Sequence, residues 1–238
     1  MTPPTDPARR APLSRERVLR AAVALADGTG IEALSMRRLA QDLGVVPMAL
    51  YKHVANKEEL LDGMVDVVVG GIGSPDLDPG WRAAVRGRIL AAREALRSHP
   101  WALQVIRSRN GPTPALLAHM DAVIGSFRNG GFSVDLTHHV MHALGSRLLG
   151  FTQEVFDAPA AAPHPRPPEP DAALGQLAER YPYVAELAGA SAHDDGSVVG
   201  RGCDDQLEFE FALDLLLDGF ERLRHEGWTS APAGGQAC

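Results

Sequence analysis

The sequence predicts an all-α protein in which a three-helix helix-turn-helix unit precedes a larger helical domain. Three observations carry that expectation. Apolar residues recur at i, i+3, i+4 and i+7 through most of the chain, the period of an amphipathic helix. Gly, Pro and Asn-Gly breaks punctuate these runs. Val and Ile nowhere alternate with polar residues between hairpin turns, as half-buried strands would require. The composition agrees, since 45% hydrophobic residues can build a core and 22% charged residues are ordinary for a globular protein.

Each element follows from local signals. Ser14 is a good N-cap, and Val18, Ala21, Ala22 and Leu25 then follow at helical spacing until Gly28 and Gly30, giving a helix over 15–27. Ser35 opens a second helix with Leu39 and Leu43 inward and Arg37, Arg38, Gln41 and Asp42 outward. Gly44 ends it, because the tight turn needs positive φ. A short helix is expected over 46–53. Asn56 caps a fourth, with Glu59 completing a capping box ahead of Leu60, Leu61, Met64, Val65 and Val68. The Gly/Pro/Asp-rich stretch 70–80 reads as a domain junction, and Gly70 to Pro75 as its hinge.

Beyond it, helices are expected over 81–97, 99–107, 113–129 and 133–155, parted by His99-Pro100, Asn110-Gly111-Pro112 and Asn129-Gly130-Gly131. The backbone restriction on a residue before proline explains the first break. A Pro/Ala tract over 158–170 and a polar stretch over 191–202 are expected loops, flanking a helix over 171–189. The last helix, 204–226, carries Leu207, Phe211, Leu215 and Phe220 on one expected face. The domains are then an N-terminal arm over 1–13, a reader over 14–70 and a helical domain over 81–228.

A net charge of −7 argues by itself against nucleic acid, but its distribution does not. Residues 1–60 hold nine Lys/Arg against seven Asp/Glu, leaving 14 against 23 in the remainder. Both lysines of the chain, Lys52 and Lys57, lie in that first segment. A basic end on an acidic body steers one face toward phosphate. The N-terminus lacks the apolar stretch of a signal peptide, no run is long enough to span a membrane, and Cys203 and Cys238 provide neither a disulfide framework nor metal spacing. A reducing cytoplasmic setting is expected.

The informative segment runs from Leu34 through Gly44-Val45 to Val54. Two short helices around a glycine turn cross steeply, and the second can project into a DNA major groove. Leu39, Leu43, Val45, Leu50 and Val54 are expected to lock the pair against its neighbours, leaving Pro47, Met48, Ala49, Tyr51, Lys52 and His53 outward. Tyr51 and His53 can donate to phosphates, Lys52 and Lys57 can neutralise them, and Arg37 can reach backbone or a guanine edge. Met48 and Ala49 suit a thymine methyl. A solvated helical hairpin that binds nothing is the competing reading of a bare helix–glycine–helix.

Leu39-Ala40-Gln41-Asp42-Leu43-Gly44-Val45, followed by Ala49-Leu50-Tyr51-Lys52-His53-Val54-Ala55-Asn56-Lys57-Glu58-Glu59-Leu60-Leu61, resembles the signature of the tetracycline-repressor (TetR) family. The resemblance extends through 81–155, where Gly130-Gly131-Phe132-Ser133 opens a long helix, and to Tyr181-Pro182. It implies a homodimeric transcriptional regulator that pairs 133–155 and 204–226 with their symmetry mates as a four-helix bundle. Two recognition helices would then sit about 34–36 Å or a similar groove-to-groove distance apart on a palindromic operator. Arg37, Pro47, Met48, Ala49, Tyr51, Lys52, His53 and Lys57 match DNA-contact positions. Pro47, Met48 and Ala49 depart from the more polar readers of the tetracycline-responsive members, which implies a different operator.

The resemblance also implies an effector held among the helices over 99–155. The first metal-ligating histidine of the tetracycline-responsive members corresponds to Ile106 and their glutamate to Glu154, so a tetracycline–magnesium site is not expected. Trp101, Met120, Val123, Ile124, Phe127, His138, Met141, His142 and Gly145 would approach the effector. This mostly apolar set implies a small, largely hydrophobic effector with one or two polar groups. His138 and His142 stand i, i+4, a spacing that can bind metal, but no further ligand accompanies them, and packing or pocket lining is the expected role. Asp194, Asp195, Asp204 and Asp205 read as a solvated acidic surface.

The principal reading is a repressor released from DNA by its effector, with neither cofactor nor metal. An activator of the same family stays open, because the sign depends on operator position. A helical enzyme or non-DNA binding protein is the other alternative. No Gly-x-Gly-x-x-Gly after a strand, P-loop, Gly-x-Ser-x-Gly or metalloprotease His pair supports it.

Overall fold

The computed structural model describes residues 12–73, 80–150, 178–190 and 205–231. Among them the regular structure is helical throughout, and no strand occurs. The elements are α1 (Arg15–Thr29), a 3₁₀ turn (Ile31–Ala33), α2 (Met36–Leu43), α3 (Pro47–Leu50), α4 (Lys57–Gly70), α5 (Gly80–Ser98), α6 (Pro100–Ser108), α7 (Pro114–Asn129), α8 (Val134–Gly150), α9 (Pro182–Ala190) and α10 (Asp205–His225). The chain forms two compact units that divide between Phe132 and Ser133.

Side-chain caps start the helices where the sequence places them. Ser14 Oγ accepts from Arg17 N–H, and Ser35 Oγ from Arg38 N–H, both at 3.2 Å. Asn56 Oδ1 accepts from Glu59 N–H at 2.8 Å, and Glu59 reaches back to Ala55 N–H at 2.7 Å, one residue before the usual capping-box donor. Gly44 takes φ 67°, ψ 35° and closes α2 through hydrogen bonds to Ala40 and Gln41 carbonyls. The stop of α1 is Gly30 at φ 82°, whereas Gly28 lies within the helix. The expected end at residue 27 is therefore short by two residues, because a glycine weakens a helix without ending it unless the backbone turns left-handed there.

In the first unit α1, α2, α3, α4 and α6 share one core. Val18, Ala22, Leu39, Leu50, Leu60 and Met64 are wholly buried in it, with Trp101 and Val105 of α6 packed alongside. Burying each such leucine contributes about 1.5–3 kcal/mol. Gly63 lets α4 approach α1 closely, since a Cβ there would stand 2.6 Å from Leu19 Cδ2. α5 packs on α7 through Trp81, Phe127 and Phe132, with ring centroids 4.7 to 5.6 Å apart. Gly130 leaves room for Trp81, whose Cβ would lie 2.5 Å from an added methyl.

In the second unit α8 packs against α10. Arg147 donates to the Glu208 carbonyl at 3.0 Å and stacks its guanidinium over Phe209. Beyond α10, Ser230 donates through N–H and Oγ to the Asp135 carboxylate at 2.6 and 2.7 Å, which holds that carboxyl below its ordinary pKa. The buried face of α10 is Phe209, Leu213, Leu217 and Phe220, while Leu207, Phe211 and Leu215 are 63%, 60% and 56% exposed. This corrects the expected grouping of Phe220 with the latter three. At about 100° per residue, thirteen residues carry Phe220 to the other side of the helix from Leu207.

The short third helix spans four residues and continues as a turn through His53, where 46–53 was expected to be helical. Helices are observed over Gly80–Ser98, Pro100–Ser108 and Pro114–Asn129, within a residue of expectation. Residues 1–11 of the arm expected over 1–13, the 158–170 and 191–202 loops and the residues Glu154, Asp194, Asp195, Cys203, Asp204 and Cys238 lie outside the described residues.

Candidate nucleic-acid interface

α2 and α3 meet at the Gly44 turn and divide their residues by face. Leu50 and Val54 are 0% and 1% exposed, and both His53 N–H and Val54 N–H bond the Leu50 carbonyl. This anchors one side of α3 in the core and turns the rest outward. Met48 is 71% and Tyr51 45% exposed. Arg37, Pro47, Lys52 and Lys57 are exposed too, while Ala49 and His53 are half-buried. Val46, the residue that caps α3, is 67% exposed and extends the apolar patch beside Met48. Sequence reasoning omitted it because a valine beside the half-buried Val45 reads as core.

The charges on this surface are available. Arg37, Arg38, Lys52 and Lys57 form no ion pair with any described residue, whereas Arg15 and Arg20 are paired with Glu59 and Glu16. Lys57 is the first residue of α4, where free backbone N–H groups already favour an anion. Unpaired cations around an exposed tyrosine and an apolar tip can hold phosphates on both sides of a groove while the tip meets base edges.

Three polar links tie α1 and α4 to the helices that follow. Trp101 Nε1 donates to Asp27 at 2.6 Å, and His99 Nδ1 lies 2.8 Å from the same oxygen. Arg109 pairs with Glu58 and with Asp62, at 2.6 Å from Nε to the latter, and these carboxylates raise the guanidinium pKa further. Asp66 accepts from Ala115 N–H at 3.0 Å, at the start of α7. Any shift of α6 or α7 therefore pulls on α4, whose first turn carries Lys57. Between these helices lies a cleft of about 230 Å³, lined by Val65, Ile106, Arg109, Thr113 and Leu116 among others.

The residues matched to an effector site fall in both units. In the first, Trp101, Val123 and Phe127 are buried, Ile124 is half-buried and Met120 is 38% exposed. In the second, His138 and His142 are exposed on α8 with ring centroids 4.6 Å apart, and Met141 is half-buried. Among the described residues no three His, Cys, Asp or Glu side chains come together to hold a metal ion. Two groups escaped sequence reasoning: Arg88 on α5 and His119 on α7. Burial and the charge of Arg88 hold the His119 imidazole below its ordinary pKa. Neither residue belongs to a motif, so spacing gave no signal for them. Among the described residues no helix is long and apolar enough to cross a membrane.

Residues 18–64 match the family model described as bacterial regulatory proteins, tetR family, and residues 74–224 match the tetracyclin repressor-like C-terminal domain. The HTH-type transcriptional repressor DrrR1 of Streptomyces coeruleorubidus is 34% identical over 221 residues, covering 89% of this chain and 78% of that protein. The crystal structure of ActR from Streptomyces coelicolor in complex with actinorhodin is similar with a TM-score of 0.65 and 26% identity, over 89% of this chain and 98% of that one. That of BioQ with its double-stranded DNA operator is similar with a TM-score of 0.58 and 25% identity, over 89% and 99%.

Proposed function

Because the chain belongs to the TetR family of bacterial regulatory proteins, we propose that it is a ligand-responsive DNA-binding repressor working in the cytoplasm. Residues 14–70 form the reader. Arg37, Lys52 and Lys57 hold phosphates, Tyr51 and His53 add hydrogen bonds, and Pro47, Met48 and Ala49 meet the base edges. The observation that carries this reading is the division of α3 and the turn after it into a wholly buried Leu50 and an exposed Met48, Tyr51 and Lys52.

Residues 81–228 form the sensor and the dimer interface. The protein pairs with a second copy through α8 and α10, placing two readers on a palindromic operator. The exposed stripe of Leu207, Phe211 and Leu215 supports this, because apolar residues one turn apart on a soluble helix call for a partner. The effector is a small, largely hydrophobic molecule, and ActR holding actinorhodin supports that class. Trp101, Met120, Val123, Ile124, Phe127, His138, Met141, His142 and Glu154 are the proposed approach to it. Effector binding must favour one separation of the readers over another to release DNA. Such a protein acts by binding, without catalysis.

The test is selection of duplexes from a random pool by the purified protein, beside the double variant Tyr51→Ala/Lys52→Ala, with sedimentation of both. The reading expects an enriched inverted repeat bound by a dimer, and a variant that stays dimeric but enriches nothing. Equal enrichment by the variant, or a monomer on a single half-site, would overturn it.

A further inference from the structure

We propose that the seam between α5 and α7 receives an acidic group of the effector, so that the effector is an apolar molecule carrying a carboxylate or similar oxyanion held by Arg88 beside His119. The inference rests on the reading of the chain as an effector-responsive regulator and narrows the class of effector.

The geometry starts from α5. Its arginines Arg82, Arg86, Arg93 and Arg97 all engage other groups. Arg88 differs: its Nε is sealed from water and bonds nothing, and the side chain forms no ion pair with a described residue. A buried guanidinium N–H without an acceptor is costly, and the cost falls away when an anion arrives. Arg88 sits two turns along α5 from Trp81, on the side that meets Gly130 near the end of α7. The helices run antiparallel, so this side of Arg88 faces the middle of α7, where its charge acts on His119.

Short side chains surround the pair. Ala84 and Ala91 flank Arg88 one turn either way, and Ala122 and Ser126 follow His119 at helical spacing; all four are half-buried and short. His119 also lies one turn after Leu116, which lines the 230 Å³ cleft. An oxyanion between the two side chains takes a charge-assisted hydrogen bond from Arg88 and an N–H from His119. The apolar body of the ligand then lies toward the cleft, where Ile106 and Val65 line the wall.

Two dyes of matched shape test this on the intact protein: 8-anilinonaphthalene-1-sulfonate and its uncharged analogue N-phenyl-1-naphthylamine, titrated by fluorescence. Wild type is expected to bind the sulfonate about tenfold or more tighter than the neutral dye, the size of a charge-assisted hydrogen bond. Arg88→Gln abolishes that preference and leaves the neutral dye unchanged, while Arg88→Lys keeps part of it and Arg86→Gln keeps it all. Equal affinity for both dyes in wild type, or an equal loss of both in Arg88→Gln, overturns the acid site and leaves the effector reading standing. Failure of both dyes to bind overturns the two together. Should Arg88→Gln lose its helical circular dichroism, His119→Asn carries the comparison, with loss of sulfonate preference expected and its retention overturning the proposal.

Discussion

Met48 and Leu50 stand two residues apart on the same short helix and are predicted to fail in opposite ways. Leu50 is 0% exposed in a core shared with α1 and α4, whereas Met48 is 71% exposed. Leu50→Ala removes three buried carbons and leaves a cavity, for a loss of about 2–5 kcal/mol of folding stability. That is a large share of the roughly 5–15 kcal/mol that holds a domain of this kind together. Met48→Ala trims a largely exposed side chain and should change stability by less than about 0.5 kcal/mol. Its cost falls on DNA, where losing an apolar contact at a base edge weakens operator binding by about 1–2 kcal/mol, at roughly 0.8 kcal/mol per buried methylene. Urea denaturation followed by circular dichroism measures the first quantity, and fluorescence anisotropy with a labelled operator the second. Loss of more than 2 kcal/mol of stability in Met48→Ala, or none in Leu50→Ala, would refute the assignment of faces on which the interface rests.

Lys57→Ala is expected to weaken binding to every duplex sequence alike and to reduce the slope of log K against log salt by about one, read from anisotropy at several salt concentrations. Gly63→Ala should cost about 1–3 kcal/mol of stability by thermal melting, because its new methyl would stand 2.6 Å from Leu19 Cδ2 in a packed helix crossing. His119 has a lowered pKa in the folded protein, so an unfolded chain takes up a proton as pH falls through about 6.5 while the folded chain resists it. Stability should therefore fall from neutral pH toward the lower folded pKa, and His119→Asn should flatten that part of the pH profile.

The parts legible in the sequence were those set by local chemistry. Ser14, Ser35 and Asn56 each cap a helix through their own side chains, and Gly44 adopts the left-handed turn. Such signals need no knowledge of the distant chain. Gly28 misled because glycine's weak helix propensity is overridden where the flanking residues Val23 and Ala26 are buried. Both sides of α10 are apolar, so periodicity alone could not choose between the buried Phe209–Leu213–Leu217 face and the exposed one. The outward set of Met48, Tyr51 and Lys52 was legible because a short motif holds it. The Arg88–His119 pair was not, since it is made by two helices crossing some thirty residues apart in sequence and by a partner that Arg88 lacks.

The most direct test of repression by operator binding is a pull-down of sheared genomic DNA on the purified protein, with sequencing of what is retained at moderate salt. The account predicts one or a few short inverted repeats lying over promoters, each lost from the retained pool when Tyr51 and Lys52 are both alanine. Retention of no enriched sequence, or the same fragments on the double variant, would contradict it.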